Sequence, residues 1–228
     1  MTEARPAGAA ARGAGPDGAG ATPPEINAFL EGHLARHGAP GPVLDLGSGS
    51  GFWLDRMEGQ GLRSVGVEPD FDRLRRGPAR GAVADGAHLP LRSGAFGLVW
   101  CVHVLHHLPD PLGVLREVAR VLQPGGHLVL AETVEDHPGI RIGRRVWPWW
   151  DGVHIDSRFT ARDLVDLLDQ AGLDVVERRQ HSLVSFAAWA LPGARRRTWS
   201  LLNRLEQRLP RGLSRFGAHV EVLARART

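Results

Sequence analysis

The chain has 228 residues, enough for one domain with a sizeable hydrophobic core. All 28 of its strong bases are arginines, and the net charge is only +3, which is weak support for nucleic-acid binding. The single cysteine excludes an internal disulfide, and no apolar run approaches the roughly 18 residues of a membrane span. Because the N-terminus also lacks an apolar leader segment, we expect a cytoplasmic protein.

The first two thirds of the chain carry a regular alternation of patterns. Residues 1–22 are mostly Ala, Gly and Pro, so we predict a disordered tail there and one domain over 23–228. Helical spacing of apolar residues predicts a short amphipathic helix over 23–37. From residue 42 onwards we predict strands at 42–46, 64–68, 81–84, 97–102 and 127–132, and helices at 51–58, 70–76 and 111–122. This alternation is typical of an α/β fold with a mostly parallel sheet covered on both faces.

Local signals set several of these boundaries. Asp110 followed by Pro111 predicts the start of the helix over 111–122, and Pro124-Gly125-Gly126 predicts its end. Thr160 with Asp163 predicts a capping box at the start of a later helix, which Gly172 closes. A strand at 173–178, a basic amphipathic helix at 194–209 and a strand at 219–225 follow. The two late strands favour an antiparallel edge of the sheet.

A glycine loop follows the first predicted strand. Residues 43–51 read Val-Leu-Asp-Leu-Gly-Ser-Gly-Ser-Gly and lead into the next predicted helix. A strand, a glycine loop and a helix in that order seat nucleotide-like ligands at the carboxyl end of a strand. The dinucleotide pattern G-x-G-x-x-G would need glycine at position 52, where the chain has Phe52. The spacing therefore argues against a nicotinamide oxidoreductase.

Five sequence blocks occur in an order that resembles one family. They are Asp45–Gly51, Val65–Asp70, Ala84–Leu91, Phe96–Val99, and Leu115–Glu117 with Leu122–Gly126. Together they resemble class I S-adenosylmethionine-dependent methyltransferases, in the small-molecule branch that includes enzymes of ubiquinone and menaquinone biosynthesis. The resemblance implies a Rossmann-like three-layer sandwich with a mostly parallel seven-stranded sheet and an antiparallel C-terminal strand. It also implies S-adenosylmethionine as the cofactor.

The resemblance assigns cofactor-binding roles to specific positions. Glu68 would accept both ribose hydroxyls, Asp85 at the end of the third strand would accept from the adenine amino group, and Asp45 would order the glycine loop or reach the cofactor's ammonium. The full set is Asp45, Gly47, Ser48, Gly49, Gly51, Glu68, Asp85, Gly86 and Cys101. Two simpler interpretations stay open: Glu68 as a solvated strand-end acid, and Asp85-Gly86 as a turn.

The candidate catalytic residues are histidines. A hydroxyl acceptor benefits from a base that works near neutral pH, and His103 and His154 are the candidates for it. The alternative for each is a polar group at the start of a helix. We expect no metal, because the acidic pattern of the catechol-type branch is absent and no further ligand sits at metal spacing from His103, His106 and His107.

Three functions compete at this point. The first is methyl transfer to an oxygen atom, or less readily a nitrogen or carbon atom, of a small molecule. The substrate would then be covered by segments 134–158 and 180–216, the first of which holds the cluster Trp147, Trp149 and Trp150. The second is an RNA methyltransferase, which only the basic helix supports. Two other interpretations of that helix stay open: that it contacts an anionic membrane surface, or that its basic face is simply solvated. The third is a non-catalytic cofactor-binding regulator. The acceptor, the methylated atom and the oligomeric state are left open by the sequence.

Overall fold

The computed structural model describes residues 32–33, 36, 41–77, 80–146, 157–185, 201–202 and 204–228. The predicted tail, His154 and the three tryptophans of the cluster lie outside these residues, as do most of the predicted helix over 23–37 and half of the one over 194–209. Residues 32–33 and 36 of the first helix and 201–202 and 204–206 of the second are helical, whereas 207–209 form a turn.

Seven strands form one sheet in the order β3-β2-β1-β4-β5-β7-β6. Strands β1 to β5 pair in parallel, and β7 runs antiparallel between β5 and β6. Their bounds are β1 Val43–Leu46, β2 Ser64–Val67, β3 Gly81–Ala82, β4 Phe96–Val102, β5 Leu122–Thr133, β6 Leu173–His181 and β7 His219–Ala226. The predicted fold class, with its antiparallel C-terminal strand, is confirmed.

Helices cover both faces of this sheet. The described α-helices are α1 Phe52–Gly59, α2 Phe71–Leu74, α3 Pro111–Val121, α4 Pro138–Val146 and α5 Ala161–Gln170, with short 3-10 helices at Leu105–His107 and Arg211–Phe216. The predicted caps are confirmed. Asp110 accepts from the Gly113 N–H at the start of α3, and Thr160 forms the capping box with Asp163 at the start of α5.

The core has two layers, one on each face of the sheet. The larger packs α3 and α5 against the strands, through residues such as Leu115, Val118 and Leu164. The smaller packs α1 against the other face, where Trp53 lies 4.7 Å from Trp100 between ring centroids. These layers hold rigid the carboxyl edge of the sheet, where the loops after β1, β2, β4 and β5 meet.

Several predicted boundaries change. Strand β3 ends at Ala82, because its pairing partner β2 ends at Val67, and α2 is a single turn rather than 70–76. Helix α3 ends at Val121, and the Pro124-Gly125-Gly126 run lies inside β5, where Gly125 has φ +74°. Helix α4 is absent from the sequence prediction.

Among the described residues, no helix combines the length and apolar character that crossing a membrane requires.

Candidate functional site

The glycine loop starts at the switch point of the sheet, where β1 is flanked by β2 on one side and β4 on the other. Gly47, Gly49 and Gly51 all have left-handed φ, at +74°, +54° and +87°. Glycine adopts these angles without steric strain. The N–H groups of Gly47 and Ser48 both donate to the Val67 carbonyl, at 2.8 and 3.1 Å, which ties the loop to the end of β2.

Close packing beneath the loop requires glycine at two points, Gly47 in the loop itself and Gly66 in β2. A Cβ on Gly47 would lie 2.5 Å from Cγ2 of Val104, which follows β4. A Cβ on Gly66 would lie 2.5 Å from the Ser48 Oγ. The loop therefore lies flat against the sheet edge, and its outer side stays open: a Cβ on Gly49 would have no neighbour within 4 Å.

Glu68 is buried directly after β2. Its Oε2 accepts from the Gly49 N–H at 2.9 Å, and its Oε1 accepts from the Asp70 N–H at 3.1 Å. Each carboxylate oxygen has two acceptor sites, so each keeps one for a further donor. The interpretation of Glu68 as a solvated strand-end acid is wrong, since the side chain is buried and orders the glycine loop.

Asp45 is buried in β1, and its Oδ2 has no hydrogen-bond partner among the described residues. Burial, together with the nearby charge of Glu68, raises the pKa of Asp45 from 3.8 to about 8. The Ser48 Oγ in the glycine loop is likewise buried without a partner in the described chain. The Ser48 Oγ lies beneath the loop against Gly66, so the Asp45 Oδ2 is the orphaned atom that indicates a place for a polar ligand.

Asp85 and Gly86 lie in the loop after β3, three and four residues past its end. Asp85 is exposed, and its Oδ1 accepts from the Ala87 N–H at 3.0 Å, which is the geometry of an Asx turn. The prediction that Asp85 ends the third strand is therefore wrong in position. Gly86 is buried, and a Cβ there would lie 3.6 Å from Leu46, at the end of β1.

Cys101 lies in β4 opposite Leu46 and is completely buried in the larger core layer. Burial and the charges of Glu132 and Asp45 raise the pKa of its thiol well above its usual value. Any contact of Cys101 with a ligand at the sheet edge would therefore come from its backbone rather than from its side chain.

His103 follows β4 with a φ of +55°, which is uncommon for a residue other than glycine. Its N–H donates to the Ala131 carbonyl at 2.8 Å. Burial is the main cause that lowers the pKa of His103 from 6.5 to about 4, with smaller contributions from neighbouring histidines and an opposing one from Glu132. The imidazole is thus neutral throughout the physiological pH range, where it is a weaker base than an ordinary histidine.

The half-buried His106 and the buried Glu132 form a pair beside His103. The His106 Nδ1 lies 2.6 Å from Glu132 Oε2, while Glu132 Oε1 accepts from the Val104 and Leu105 N–H groups at 2.9 and 2.7 Å. Burial alone would raise the pKa of Glu132, but the hydrogen bond and charge of His106 lower it below its ordinary value.

The same residues form the one group in the described chain that could hold a metal, since ligand atoms of His103, His106 and Glu132 lie within 4.8 Å of one another. The sequence argument missed Glu132 as a third ligand, because it lies 26 residues from His106. Both Glu132 oxygens already accept hydrogen bonds, which favours a hydrogen-bonded pair over a metal centre. The expected absence of a metal stays a prediction.

A family model described as a methyltransferase domain matches residues 22–178. The chain belongs to this methyltransferase family. The matched range contains the glycine loop, Glu68, Asp85, His103 and Glu132.

Curated relatives match this chain over a shorter region. An uncharacterized methyltransferase of Mycobacterium sp. (strain JLS) is 39% identical over 97 residues, which cover 40% of this chain and 38% of that protein. The 27-O-demethylrifamycin SV methyltransferase of Amycolatopsis mediterranei (strain S699) is 35% identical over 102 residues, covering 40% of this chain and 38% of that protein. The similarity thus spans about two fifths of the length of these relatives.

Similarity to solved structures covers more of the chain than the sequence similarity does. The crystal structure of an S-adenosylmethionine-dependent methyltransferase from Mesorhizobium loti superposes with a TM-score of 0.61 at 22% identity, covering 89% of this chain and 96% of that one. At this identity the likeness establishes the fold alone.

Further histidines that the sequence reasoning did not select lie at the same edge of the sheet. The His219 ring at the start of β7 lies 5.7 Å from the His103 ring and 5.8 Å from that of His181, which ends β6. His181 in turn lies 3.2 Å from the buried Glu221. The antiparallel pairing of β6 and β7 places His181 opposite His219, a contact across 38 residues that no local pattern reveals.

Proposed function

We propose that this protein transfers a methyl group from S-adenosylmethionine to an oxygen atom of a small molecule. The proposal rests on the arrangement of residues at the carboxyl edge of β1 and β2. A glycine loop with three left-handed residues there faces two buried carboxyl groups, one of them with an orphaned oxygen. The family match supports the same function.

The cradle suits S-adenosylmethionine in charge and in shape. The unpartnered Asp45 carboxyl would pair with the ammonium of the methionine part, and the open side of Gly49 would admit the ribose against the free acceptor sites of Glu68. Asp85 and Gly86 would contact the adenine, with the Asp85 carboxylate turning from the Asx turn towards the amino group. Ser48 and the backbone at Gly51 and Cys101 complete the proposed contact set.

When bound, S-adenosylmethionine supplies a methyl group that its sulfonium already activates. The protein then has to hold the acceptor in line with that group and to take up its proton, and positioning accounts for much of such a rate. His103 is the proposed base. It is neutral at pH 7, and the nearby Glu132 carboxylate would stabilise the imidazolium that forms. His154, the other proposed base, lies outside the described residues.

Oxygen is the proposed acceptor atom because a hydroxyl has a proton to lose to a neutral imidazole. The rifamycin-modifying relative, whose name specifies an O-demethylated substrate, is in line with that choice. Segments 134–158 and 180–216 are the proposed cover of the acceptor. A cytoplasmic location is proposed with it, since the single cysteine is a free, buried thiol.

The test is to incubate the protein with S-adenosylmethionine labelled with ¹³C at its methyl group and with a panel of hydroxyl-bearing small molecules. We expect the label to appear as a methoxy carbon by NMR. His103→Asn should lower kcat about 100-fold and leave the affinity for S-adenosylhomocysteine unchanged, because His103 lies on the acceptor side.

His127→Asn is the matched control, because His127 lies in β5 opposite Leu98, near the amino edge of the sheet and away from the proposed cofactor contacts. Label on nitrogen or carbon would contradict the oxygen assignment. If the protein binds S-adenosylhomocysteine but the label stays on the donor with every acceptor tested, the result would favour a non-catalytic regulator instead.

A further inference from the structure

A second cleft opens at the same edge of the sheet, on the far side from the glycine loop. Its volume is about 640 Å³, within the range of small-molecule sites. Glu135 and Asp136, which follow β5, line it together with Gln180 near the end of β6 and Phe216 just before β7. The cleft therefore lies beside β5, β6 and β7, whereas the proposed cofactor contacts follow β1, β2 and β3.

The walls of this cleft are rich in guanidinium groups. Four arginines from four different elements line it: Arg141 of α4, Arg162 of α5, Arg178 of β6 and Arg215 of the 3-10 helix before β7. Arginine is the only strong base in this chain, so an exposed arginine alone means little. The convergence of four of them on one concave surface is what singles the cleft out.

Two carboxylates, Glu135 and Asp136, line the cleft with the four arginines, so the charged side chains of the lining keep a net positive charge of two. The Asp136 carboxylate accepts from the Ala161 N–H at 2.7 Å and so faces the start of α5. Arg162 has only a loose pair with Asp166 at 3.9 Å. In the parts of the chain that the structure describes, Arg141, Arg178 and Arg215 have no carboxylate partner within 4.0 Å. Arg215 instead lies over the Phe216 ring at 4.8 Å, a contact that leaves its N–H donors available.

Unpaired guanidinium groups around a concave surface are suited to a phosphate, which they bind through paired N–H donors. S-adenosylmethionine carries no phosphate, so this cleft complements a different molecule. The cleft and the histidines share the same edge of the sheet but not the same face: Gln180 and His181 are consecutive in β6, so their side chains leave the strand on opposite faces. A molecule that reaches over this edge would bring its anionic end to the arginines and its hydroxyl towards His103.

We propose that this arginine cleft binds the phosphate group of a small-molecule acceptor, an inference that rests on the proposed methyl transfer. Phe216 would pack against the body of the acceptor next to the phosphate. The acceptor class is thus a phosphorylated small molecule with a free hydroxyl group.

The test is a calorimetric titration of the full-length protein with phenyl phosphate and with inorganic phosphate, at constant ionic strength. We expect phenyl phosphate to bind more tightly, because Phe216 adds an aromatic contact. Arg141→Gln/Arg178→Gln should weaken phenyl phosphate binding about tenfold. The matched control, Arg92→Gln/Arg116→Gln, removes the same charge from two exposed arginines outside the cleft and should change it less than about twofold.

Equal affinity of the cleft variant and the unmodified protein would overturn the proposal, and so would inorganic phosphate binding as tightly as phenyl phosphate. A short single-stranded RNA is titrated as well. If it binds more tightly than phenyl phosphate, and if only the cleft variant loses this binding, the proposal is overturned in favour of a nucleic-acid substrate. S-adenosylhomocysteine is titrated in the same samples. If it binds while phenyl phosphate does not, the cleft assignment fails and the cofactor site stands.

Discussion

Asp45 is the least solvent-exposed of the carboxyl groups at the proposed cofactor site. It is 2% exposed, and its pKa rises to about 8 through burial and the neighbouring charge of Glu68. The folded-state pKa lies above the unfolded value of 3.8. Asp45 therefore contributes stability to the ligand-free protein below about pH 4, and this contribution is lost as the pH rises through 8.

This raised pKa predicts that ligand binding is coupled to a proton. If Asp45 is protonated in the ligand-free protein at pH 7 and ionised opposite the ligand's ammonium, binding of S-adenosylhomocysteine should release up to about one proton. Calorimetry in buffers of different ionisation enthalpy measures that number. Asp45→Asn should bind more weakly and release none, whereas Asp174→Asn, at an exposed carboxylate in β6, should behave like the unmodified protein. Proton-neutral binding by the unmodified protein would rule out the ammonium pairing.

Glu68 illustrates how far a single position can be predicted. The sequence places an acid directly after a strand and in register with the glycine loop, and the structure has a buried carboxylate there. The hydrogen bond from the Gly49 N–H was not predictable, because it depends on the loop folding back over β2. Glu68 thus has a structural role in addition to the proposed ribose contact.

At the level of elements, the glycine loop depends on the absence of a side chain at Gly47. Gly47→Ala combines a left-handed φ of +74° with a Cβ 2.5 Å from Val104, so we expect it to lower the free energy of unfolding by about 2 kcal/mol or more. Gly49→Ala has the strain without the contact and should cost about 1 kcal/mol. Urea denaturation compares the two.

The steric part of this effect can be isolated. Val104→Ala in the Gly47→Ala background removes the methyl groups that the new Cβ meets, and it should recover part of the lost stability. Equal losses for Gly47→Ala and Gly49→Ala, with no recovery in the double variant, would show that the loop does not pack against Val104.

Elements with strong local signals were predictable, and those without were not. Helices α3 and α5 carry caps at Asp110 and Thr160, and both begin where the sequence places them. Helix α4 was missed because its nine residues hold only three large apolar side chains and no predicted cap. Ile140 is buried, whereas Ile142 and Val146, four residues apart on another face, are about 60% exposed, so little of this helix belongs to the core.

At the scale of the whole molecule, the two halves of the sheet edge differ in how much the sequence reveals. The half built on β1, β2 and β3 comes from contiguous chain, so motif order is enough to predict its parallel strands and the proposed cofactor contacts. The other half brings His103, His181 and His219 together through the antiparallel insertion of β7 between β5 and β6. That pairing spans distant parts of the chain, so neither the histidine cluster nor the arginine cleft follows from local patterns.

The central claim is that the edge formed by β1 and β2 is a site for S-adenosylmethionine. Calorimetric titration with S-adenosylhomocysteine and with NADH tests it, using Glu68→Gln and, as the matched control, Glu58→Gln at an exposed acid of α1. Glu68→Gln can keep an acceptor for the Gly49 N–H but loses the negative charge and one acceptor oxygen. We predict binding of S-adenosylhomocysteine and not of NADH, about tenfold weaker in Glu68→Gln and unchanged in Glu58→Gln. Binding of NADH, or equal affinity of Glu68→Gln and the unmodified protein for S-adenosylhomocysteine, would contradict the account.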